Sequence, residues 1–192
     1  GAGNDTISGL AGIDTIVAGE GSDIITPGTG ADIITLTETT AATDTVKFAT
    51  GDGTTTAYDA ITGFSATALN ADKLVNTSAA FDVSTNIASG TAVNVSAAVT
   101  GNGIITAYVT SGIVSLAGTD TANVDTIAEW AGVVAVTNVT AGGDCVGFEF
   151  SGDTYIFQEP ASGANSLIRL VGLTGVTAIS DTAAAADTVF VG

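Results

Sequence analysis

The chain has 192 residues, and its 20 acidic side chains, set against 3 Lys or Arg and no His, give a formal net charge of −17. This charge disfavours binding to nucleic acids and anionic membranes and favours binding to cations. Without histidine, and with Cys145 as its one cysteine, the chain can form no internal disulfide, no His/Cys zinc site and no His-dependent catalytic triad. We therefore expect a binding or structural protein and not an enzyme, with Cys145 as a buried apolar residue.

Residues 1–36 contain a nine-residue repeat. Each unit has an aspartate, with a glycine two residues before it and an isoleucine two residues after it. The four aspartates are Asp5, Asp14, Asp23 and Asp32. A period of nine does not match the 3.6-residue period of an amphipathic helix. Because the glycines suit tight turns and the β-branched residues suit short strands, the repeat predicts a solenoid of alternating turns and strands.

The regular spacing then breaks, and Asp44 follows the last repeat aspartate by twelve residues. Looser echoes of the pattern occur at Asp59 and Asp72, each two residues before an apolar side chain. Four units make a short solenoid, so we predict that residues 37–76 cap it and complete a first domain over residues 1–76. The side chains expected to cover its open apolar end are Phe48, Ile61, Phe64 and Leu74.

Residues 77–192 are predicted to form a second, β-rich domain. Alternating apolar and polar residues indicate strands, the last long one over 166–173. Hairpin links are predicted at 101–103, 110–112 and 151–153. Helical spacing of apolar residues predicts one helix over about 121–135, with Trp130 in the core. The predicted fold class is therefore mostly β: a parallel β-roll followed by a β-rich C-terminal domain with about one helix.

The repeat also has the chemistry of a calcium site. Ca²⁺ takes six to eight oxygen ligands at about 2.3–2.6 Å, and a glycine-rich turn offers carbonyl oxygens while the aspartate adds a charged one. If successive units lie on opposite edges of a flattened coil, Asp5 stacks on Asp23 and Asp14 stacks on Asp32. Stacked carboxylates repel one another without a cation, so calcium binding is expected to supply part of the folding free energy. The alternative is a plain β-solenoid with solvated aspartates.

Residues 1–36 resemble RTX repeats, whose pattern is G-G-x-G-x-D-x-U-x. The aspartate and the glycine nearest to it match in all four units, whereas the first two positions vary. In that family, the calcium ligands are the aspartate side chains and the carbonyl oxygens of the glycine-rich turn. The ligand set that the resemblance implies is Asp5, Asp14, Asp23 and Asp32 with Gly1, Gly3, Gly12, Gly19, Gly21, Gly28 and Gly30. Asp44 and Asp59 either close the outermost half-sites or lie outside the ligand set.

A second resemblance covers part of the C-terminal region. The stretch DTYIFQEPASGANSLIRLVGLTGVTAIS, residues 153–180, is similar to the C-terminal regions of S-layer and S-layer-like RTX proteins of Gram-negative bacteria. The final DTVFVG resembles the end of a type I secretion signal, in which an acidic residue precedes a short apolar run. The alternative for this tail is an ordinary edge strand.

Together these resemblances imply a secreted, cell-surface structural protein that binds Ca²⁺ and assembles with copies of itself into a surface layer. The alternative is the calcium-dependent folding and type I secretion tail of an extracellular enzyme or adhesin. The implied partners are other copies of the chain and, through upstream regions, an outer-membrane surface polysaccharide; neither nucleic acid nor membrane insertion is expected. No stretch approaches the ~20 apolar residues of a spanning helix. Since the sequence starts inside a repeat and has no initiator Met, we expect it to be cut from a longer protein.

Overall fold

The computed structural model of the protein describes residues 1–49, 51–67, 69–77, 82–83, 92–94, 105–111, 113–118, 121, 124–137, 144–159, 165–182 and 185–191. Within these residues, the chain is mostly β, with sixteen strands and one helix, α1 (Ile127–Thr137). The first seven strands are β1 (Thr6–Ser8), β2 (Thr15–Val17), β3 (Ile24–Thr26), β4 (Ile33–Thr35), β5 (Thr45–Phe48), β6 (Asp59–Thr62) and β7 (Lys73–Asn76). The later strands are β8 (Asp82–Val83), β9 (Ala92–Asn94), β10 (Ile105–Thr110), β11 (Ile113–Gly118), β12 (Asp144–Phe150), β13 (Asp153–Glu159), β14 (Ser166–Val171), β15 (Ile179–Thr182) and β16 (Ala185–Val191).

The first seven strands form a flattened parallel coil. The odd-numbered strands stack in the order β1-β3-β5-β7 in one sheet, and the even-numbered strands stack as β2-β4-β6 in the other. Ile7 lies opposite Ile25, and Ile16 lies opposite Ile34, so each full turn of the coil contains two repeat units. The predicted fold class, a parallel β-roll with a β-rich remainder, is confirmed.

The coil has two edges, which carry the turns between strands. We call the turns that lead into the odd-numbered strands the first edge: residues 1–5, 18–23, 36–44 and the described residues of 63–72. We call the turns that lead into the even-numbered strands the second edge: residues 9–14, 27–32 and the described residues of 49–58, together with Asp59 at the start of β6. The repeat therefore places its aspartates alternately on the first and second edges.

The core of the coil is a stack of single side chains from each strand. Side chains alternate across a β-strand, so a three-residue strand turns its middle residue inward and its two flanking residues outward. Ile25 and Ile34 are middle residues of this kind, and Ile61 takes the same inward place in the four-residue strand β6; all three are fully buried. The isoleucine of each repeat unit is thus the apolar residue that the coil needs at every half-turn.

Residues 37–76 differ from the predicted cap, because they extend the coil by three more strands. β5 pairs in parallel with β3, β6 with β4, and β7 with β5. The side chains predicted to cover an open end, Phe48, Ile61, Phe64 and Leu74, lie instead in the same buried cluster as the repeat isoleucines. The turns between these strands are longer than in the repeat. Since turns lie at the edges, their length can vary while the strand register is kept.

Strands from the C-terminal part of the chain continue both sheets of the coil. β14 pairs in parallel with β6, which places Ile168 opposite Asp59. β16 pairs antiparallel with β7 and with β15. Beyond β14 the larger sheet continues as β13-β12-β11-β10-β9. The division of the chain into domains over 1–76 and 77–192 stays a prediction.

Two of the predicted hairpins are present. β12 and β13 pair antiparallel and meet at Phe150 and Asp153, which confirms the hairpin at 151–153. β10 and β11 also pair antiparallel around 110–112, although Gly112 itself lies outside the described residues. The link predicted at 101–103 lies outside them too.

The helix begins later than the predicted residue 121. The backbone N–H of Glu129 donates to the Thr126 hydroxyl, and the Glu129 carboxylate accepts hydrogen bonds from the Thr126 N–H and hydroxyl. This reciprocal arrangement is a capping box, and it explains why the helix begins at Ile127. No helix in the described part of the chain is long and apolar enough to cross a membrane.

The helix covers a second apolar cluster, beside that of the coil. Trp130 stacks on Phe148 with ring centroids 4.9 Å apart, and Phe148 stacks on Tyr155 at 5.2 Å. The core position predicted for Trp130 is therefore confirmed. Cys145 is fully buried in the cluster of the coil, which confirms the prediction made for it.

Candidate metal centre

The aspartates of the first edge form a continuous hydrogen-bonded ladder. The backbone N–H of Asp5 donates to Oδ1 of Asp23 at 2.7 Å, and that of Asp23 donates to Oδ1 of Asp44 at 2.8 Å. The N–H of Asp44 donates in turn to Oδ1 of Asp72 at 2.8 Å. Each carboxylate is therefore held by the amide of the aspartate one full turn earlier in the coil.

The second edge repeats this arrangement with three rungs. The N–H of Asp14 donates to Oδ1 of Asp32 at 2.8 Å, and the N–H of Asp32 donates to Oδ1 of Asp59 at 3.0 Å. The stacking of Asp5 on Asp23 and of Asp14 on Asp32 is thus as the spacing predicts. Asp44 and Asp59, which the sequence left open, lie in line with the repeat aspartates on their respective edges.

The ladder leaves one carboxylate oxygen of most rungs without a partner. Oδ2 is buried and accepts no hydrogen bond in four aspartates: Asp14, Asp23, Asp32 and Asp44. The last three of these residues are only 1% exposed. A buried carboxylate oxygen without a hydrogen bond or counter-charge is costly, and such oxygens are rare in folded proteins. A divalent cation that takes oxygen ligands removes this cost, so the rungs fit a calcium ion.

A backbone carbonyl oxygen lies near the free carboxylate oxygen of Asp14. A β-carbon placed on Gly9 would lie 2.8 Å from Oδ2 of Asp14 and would overlap the carbonyl oxygen of Pro27, in the next turn of the same edge. A β-carbon on Gly28 or Gly30 would likewise overlap a carbonyl oxygen of the turn below. The stacked turns therefore bring together both types of ligand that a calcium site needs.

The glycines of the implied ligand set have the backbone geometry of tight turns. Positive φ angles occur at Gly3, Gly12, Gly19, Gly21, Gly28 and Gly30. L-residues with a β-carbon adopt this region only at a cost, which explains why these positions are glycine. At Gly1 the terminal ammonium group lies 3.4 Å from Oδ2 of Asp5, and the carbonyl oxygen accepts the N–H of Glu20 at 3.1 Å.

Burial and neighbouring charge perturb the later aspartates of the ladder. Burial raises the pKa of Asp44 to about 6, and the charges of Asp72, Glu38 and Asp23 add to the shift. Burial raises the pKa of Asp59 to about 7, with a further contribution from the charge of Asp32. The pKa of Asp72 is raised as well, mainly by burial. Without a cation, burial and like charge therefore make the ionised form of these carboxyl groups less favourable than it is in water.

Two glutamates that were not among the predicted site residues accept hydrogen bonds within the first edge. Glu38 accepts the N–H of Gly21 at 2.8 Å and the N–H of Ala42 at 2.7 Å. Glu20 accepts the N–H and hydroxyl of Thr39 at 2.8 and 2.6 Å. The two glutamates are 18 residues apart, which is two repeat units and one full turn of the coil. That spacing is the signal in the sequence that pairs them.

The metal-binding capacity of the rungs depends on backbone oxygens as well as carboxylates. Within the described ranges, no three His, Cys, Asp or Glu side chains converge closely enough to hold a metal ion by themselves. An ion at these rungs would need carbonyl oxygens of the turns in addition to the carboxylates. Asp153, outside the coil, is not available in the same way, because its carboxylate pairs with Arg169 at 2.6 Å and accepts the N–H of Gly172 at 2.6 Å.

Comparison with known proteins identifies the repeat segment. Residues 1–34 match the family model described as the RTX calcium-binding nonapeptide repeat, in four copies. No curated protein and no solved structure matches the chain. The resemblance to RTX repeats is thus confirmed for the N-terminal segment, and these repeats imply calcium binding. The S-layer resemblance of the C-terminal region stays a prediction.

Proposed function

We propose that this chain is a calcium-dependent structural part of a secreted cell-surface protein, and that it assembles with other copies of itself into a surface layer. It performs no catalysis in this proposal. The observation that carries it is the aspartate ladder, whose buried Oδ2 atoms accept no hydrogen bond and would be stabilised by a bound cation. RTX repeats occur in secreted proteins, where calcium is far more plentiful than inside the cell, so calcium would serve as the trigger for folding after export.

The coil residues have separate tasks in this mechanism. The Oδ1 atoms hold the amides of the preceding turn, which sets the spacing between rungs, as in the 2.8 Å contact from Asp14 to Asp32. The Oδ2 atoms of Asp14, Asp23, Asp32 and Asp44 accept no hydrogen bond and would be available to a cation together with carbonyl oxygens of the turns. Calcium, when bound, supplies the positive charge that joins these oxygens across two turns. The buried isoleucines then pack only when the turns are stacked.

Self-association is supported by an apolar surface on the coil. We call it the second-sheet patch, and its residues are Leu10, Ile13, Val17 and Ile33. Leu10 and Ile13 lie in one turn of the second edge, Val17 lies in β2, and Ile33 lies in the neighbouring strand β4. Ile13 is 78% exposed, Val17 64% and Ile33 50%. Exposed apolar clusters of this kind are typical of protein contact surfaces, and a second copy of the chain would bury them.

The alternative function is a calcium-dependent folding and type I secretion tail of an extracellular enzyme or adhesin. The observation that favours it is the position of β16. This strand contains the end of the secretion-like tail, and it pairs with β7, the last strand of the coil. A tail that completes the coil would couple the end of the chain to calcium-driven folding. In that case the folded chain would need no contact with other copies.

Calcium titration of the purified 192-residue chain separates the two functions. In the surface-layer proposal, calcium induces β structure by circular dichroism, then light scattering and ordered sheets in electron micrographs, and a chelator reverses both. Val17→Ser with Ile33→Ser should abolish the sheets but not the folding. Leu69→Ser is the matched control, because Leu69 is 94% exposed and lies outside the patch. Folding to a monomer that stays monomeric at millimolar calcium would contradict assembly and favour the secretion tail.

A further inference from the structure

Both lysines of the chain lie on one face of the coil. Lys47 is in β5 and Lys73 is in β7, and the inward residues of these strands, Val46 and Leu74, are buried. Because side chains alternate across a strand, the two lysines are on the outer side of the first sheet. Since β5 and β7 are neighbouring strands, the lysines belong to one surface. We call this surface the lysine face, and its residues are Thr45, Lys47, Lys73 and Val75.

The lysine face is a cationic surface in a chain whose net charge is −17. The chain has three cationic side chains, and the third, Arg169, pairs with Asp153 at 2.6 Å. Among the residues that the structure describes, neither lysine forms an ion pair. The outward positions of β1, β3, β5 and β7 are Thr, Ser, Ile, Lys or Val, so no carboxylate shares this side of the coil strands. The lysine face is therefore open to an anionic partner.

Two carboxylates of the first edge have a similar spacing. Glu20 and Glu38 lie on the successive turns 18–23 and 36–44, so one step of the coil separates them. One step also separates Lys47 and Lys73, and because neighbouring strands lie about 4.8 Å apart, both pairs repeat at that spacing along the coil. Lys47 lies opposite Val75, so the lysines are also offset by two residues along the strands. The long, flexible lysine side chains can span this offset.

The two glutamates are held in place by hydrogen bonds. Glu20 accepts the N–H and hydroxyl of Thr39 at 2.8 and 2.6 Å, and these bonds are exposed to solvent. Glu38 accepts the N–H of Gly21 at 2.8 Å and that of Ala42 at 2.7 Å. A carboxylate that is already fixed loses little conformational freedom when it binds a partner. Glu20 and Glu38 therefore form a preorganised anionic surface one step of the coil in length.

We propose that the lysine face of one copy binds Glu20 and Glu38 on the first edge of a second copy. The inference rests on the proposed self-assembly, and it specifies one of the contacts by which copies associate. Two copies that each carry a net charge of −17 repel one another, and the lysine face meeting the first edge is an orientation that brings opposite charges together. Complementary charges of this kind select the orientation and register of a contact.

The contact joins two different surfaces, a sheet face and an edge. It leaves the edge of the first copy and the lysine face of the second free to bind further copies, so it extends into an open array when the rotation does not close a ring. The second-sheet patch lies on the other sheet and makes a separate contact in another direction. Exposed ion pairs contribute little affinity singly, so the lysine face sets the orientation, whereas burial of the apolar patch supplies most of the binding energy.

The test follows calcium-induced assembly of the full 192-residue chain by light scattering and electron microscopy. Lys47→Gln with Lys73→Gln removes the positive charge of the lysine face. We expect the protein concentration needed for assembly to rise several-fold, while the calcium midpoint of folding by circular dichroism stays the same. Lys47→Arg with Lys73→Arg is the matched control, which keeps the charge and should assemble like the wild type. Equal assembly of the Gln and Arg variants would overturn the contact.

A double-mutant cycle identifies the partner of the lysines. Glu20→Gln with Glu38→Gln keeps oxygens for the backbone N–H groups, removes the charge, and should weaken assembly as the lysine variant does. The variant with all four substitutions should be no weaker than either pair, because the same contact is lost. Additive effects would contradict a direct contact. Asp125→Asn is the control for net charge, since Asp125 is exposed and outside the coil, and it should not weaken assembly.

The salt dependence of assembly needs no variant. Because salt screens exposed charges beyond about 10 Å at 0.1 M, sodium chloride should raise the protein concentration needed for assembly in the wild type and much less in the lysine variant. If the Lys→Gln variant assembles normally but loses binding to dextran sulfate, the partner is an anionic polymer and the proposal is wrong. If the wild type folds with calcium and never assembles, the proposed function fails and this contact with it; if every variant assembles like the wild type, this contact alone fails.

Discussion

The backbone N–H of Asp32 lies 3.0 Å from Oδ1 of Asp59, although 27 residues separate the two in the chain. Asp14 and Asp32, one turn earlier on the same edge, make the same contact across 18 residues. The additional nine residues are divided among the longer turns 36–44 and 49–58 and the four-residue strand β5, and the rung is unaffected. The ladder is therefore a property of stacked strands, and it does not require the nine-residue spacing that first reveals it.

Removing the charge of a repeat rung should weaken calcium binding more than removing an exposed charge elsewhere. Asp32→Asn eliminates a buried free oxygen of the second edge. We expect the calcium concentration for half-maximal folding to rise at least about tenfold, equivalent to ~1.4 kcal/mol. The measurement is a calcium titration followed by circular dichroism.

The control for that titration is Asp125→Asn, because Asp125 is exposed and lies outside the coil. It should leave the calcium midpoint unchanged. Equal shifts in the two variants would contradict the assignment of the rungs as the calcium ligands.

The stability of the calcium-free protein should fall as the pH rises. The pKa values of Asp44 and Asp59 are raised by burial to about 6 and about 7 in the folded state. The folded chain therefore binds more protons than the unfolded one between the ordinary aspartate pKa of about 3.9 and these values. This stabilisation is complete below about pH 3.9 and is lost as the pH rises through 6 and 7.

Urea denaturation in the presence of a chelator, at pH 5 and pH 8, tests this dependence. The midpoint should be higher at pH 5. In saturating calcium the order should reverse, because protons compete with the cation for the same carboxylates. A calcium-free midpoint that is higher at pH 8 would show that these two aspartates do not limit the stability of the coil.

Gly28→Ala should destabilise the coil by more than backbone strain alone. Gly28 has a φ of 99°, and a β-carbon there would overlap the carbonyl oxygen of Leu10. Gly152→Ala is the matched control, since Gly152 has a φ of 87° but no atom within 4 Å of the added carbon. The control should cost roughly 1–2 kcal/mol for the left-handed backbone.

In urea denaturation at saturating calcium, Gly28→Ala should lower the free energy of unfolding by more than the Gly152→Ala control does. It should also raise the calcium midpoint, since the clash forces apart two turns that share ligands. If both variants lose the same free energy of unfolding, the close approach of the turns at Gly28 is not important for stability.

The capping box of α1 should contribute a measurable part of the stability of the C-terminal region. Thr126→Ala removes the hydroxyl that accepts the N–H of Glu129 and donates to its carboxylate. We expect a loss of about 1 kcal/mol in the free energy of unfolding, measured by thermal or urea denaturation. Thr126→Ser, which keeps the hydroxyl, should restore most of it. Full stability of Thr126→Ala would mean that packing of Trp130 alone sets the start of the helix.

The repeat could be predicted from the sequence because its signal is local and periodic. The stacking of Asp14 on Asp32 follows from a period of nine and two units per turn. The three additional strands were missed because the longer turns 36–44 and 49–58 break that period, even though Asp44 and Asp59 each keep an apolar residue two positions later. In residues 37–76 the strand residues of the pattern are therefore kept, whereas the length of the turns varies.

The start of the helix has a short signal in the sequence, whereas the pairing of β14 with β6 has none. The pair Thr126 and Glu129 has the spacing of a capping box, so the beginning of the helix could have been placed from sequence. The pairing of β14 with β6 had no such signal, because it joins Ile168 to Asp59 across more than a hundred residues. Contacts of that range depend on complementary surfaces in the folded chain and leave no periodic trace.

This pairing also has a kinetic consequence. Closing the long loop between β6 and β14 carries a larger entropic cost than adding one more turn to a coil that already exists, and non-local contacts form slowly. In the other direction, each new turn contacts only its neighbour, so β5, β3 and β1 can add one after another once β7 and β6 are in place. We therefore expect the end of the coil that carries β6 and β7 to form slowly, and the strands toward β1 and β2 to be added quickly.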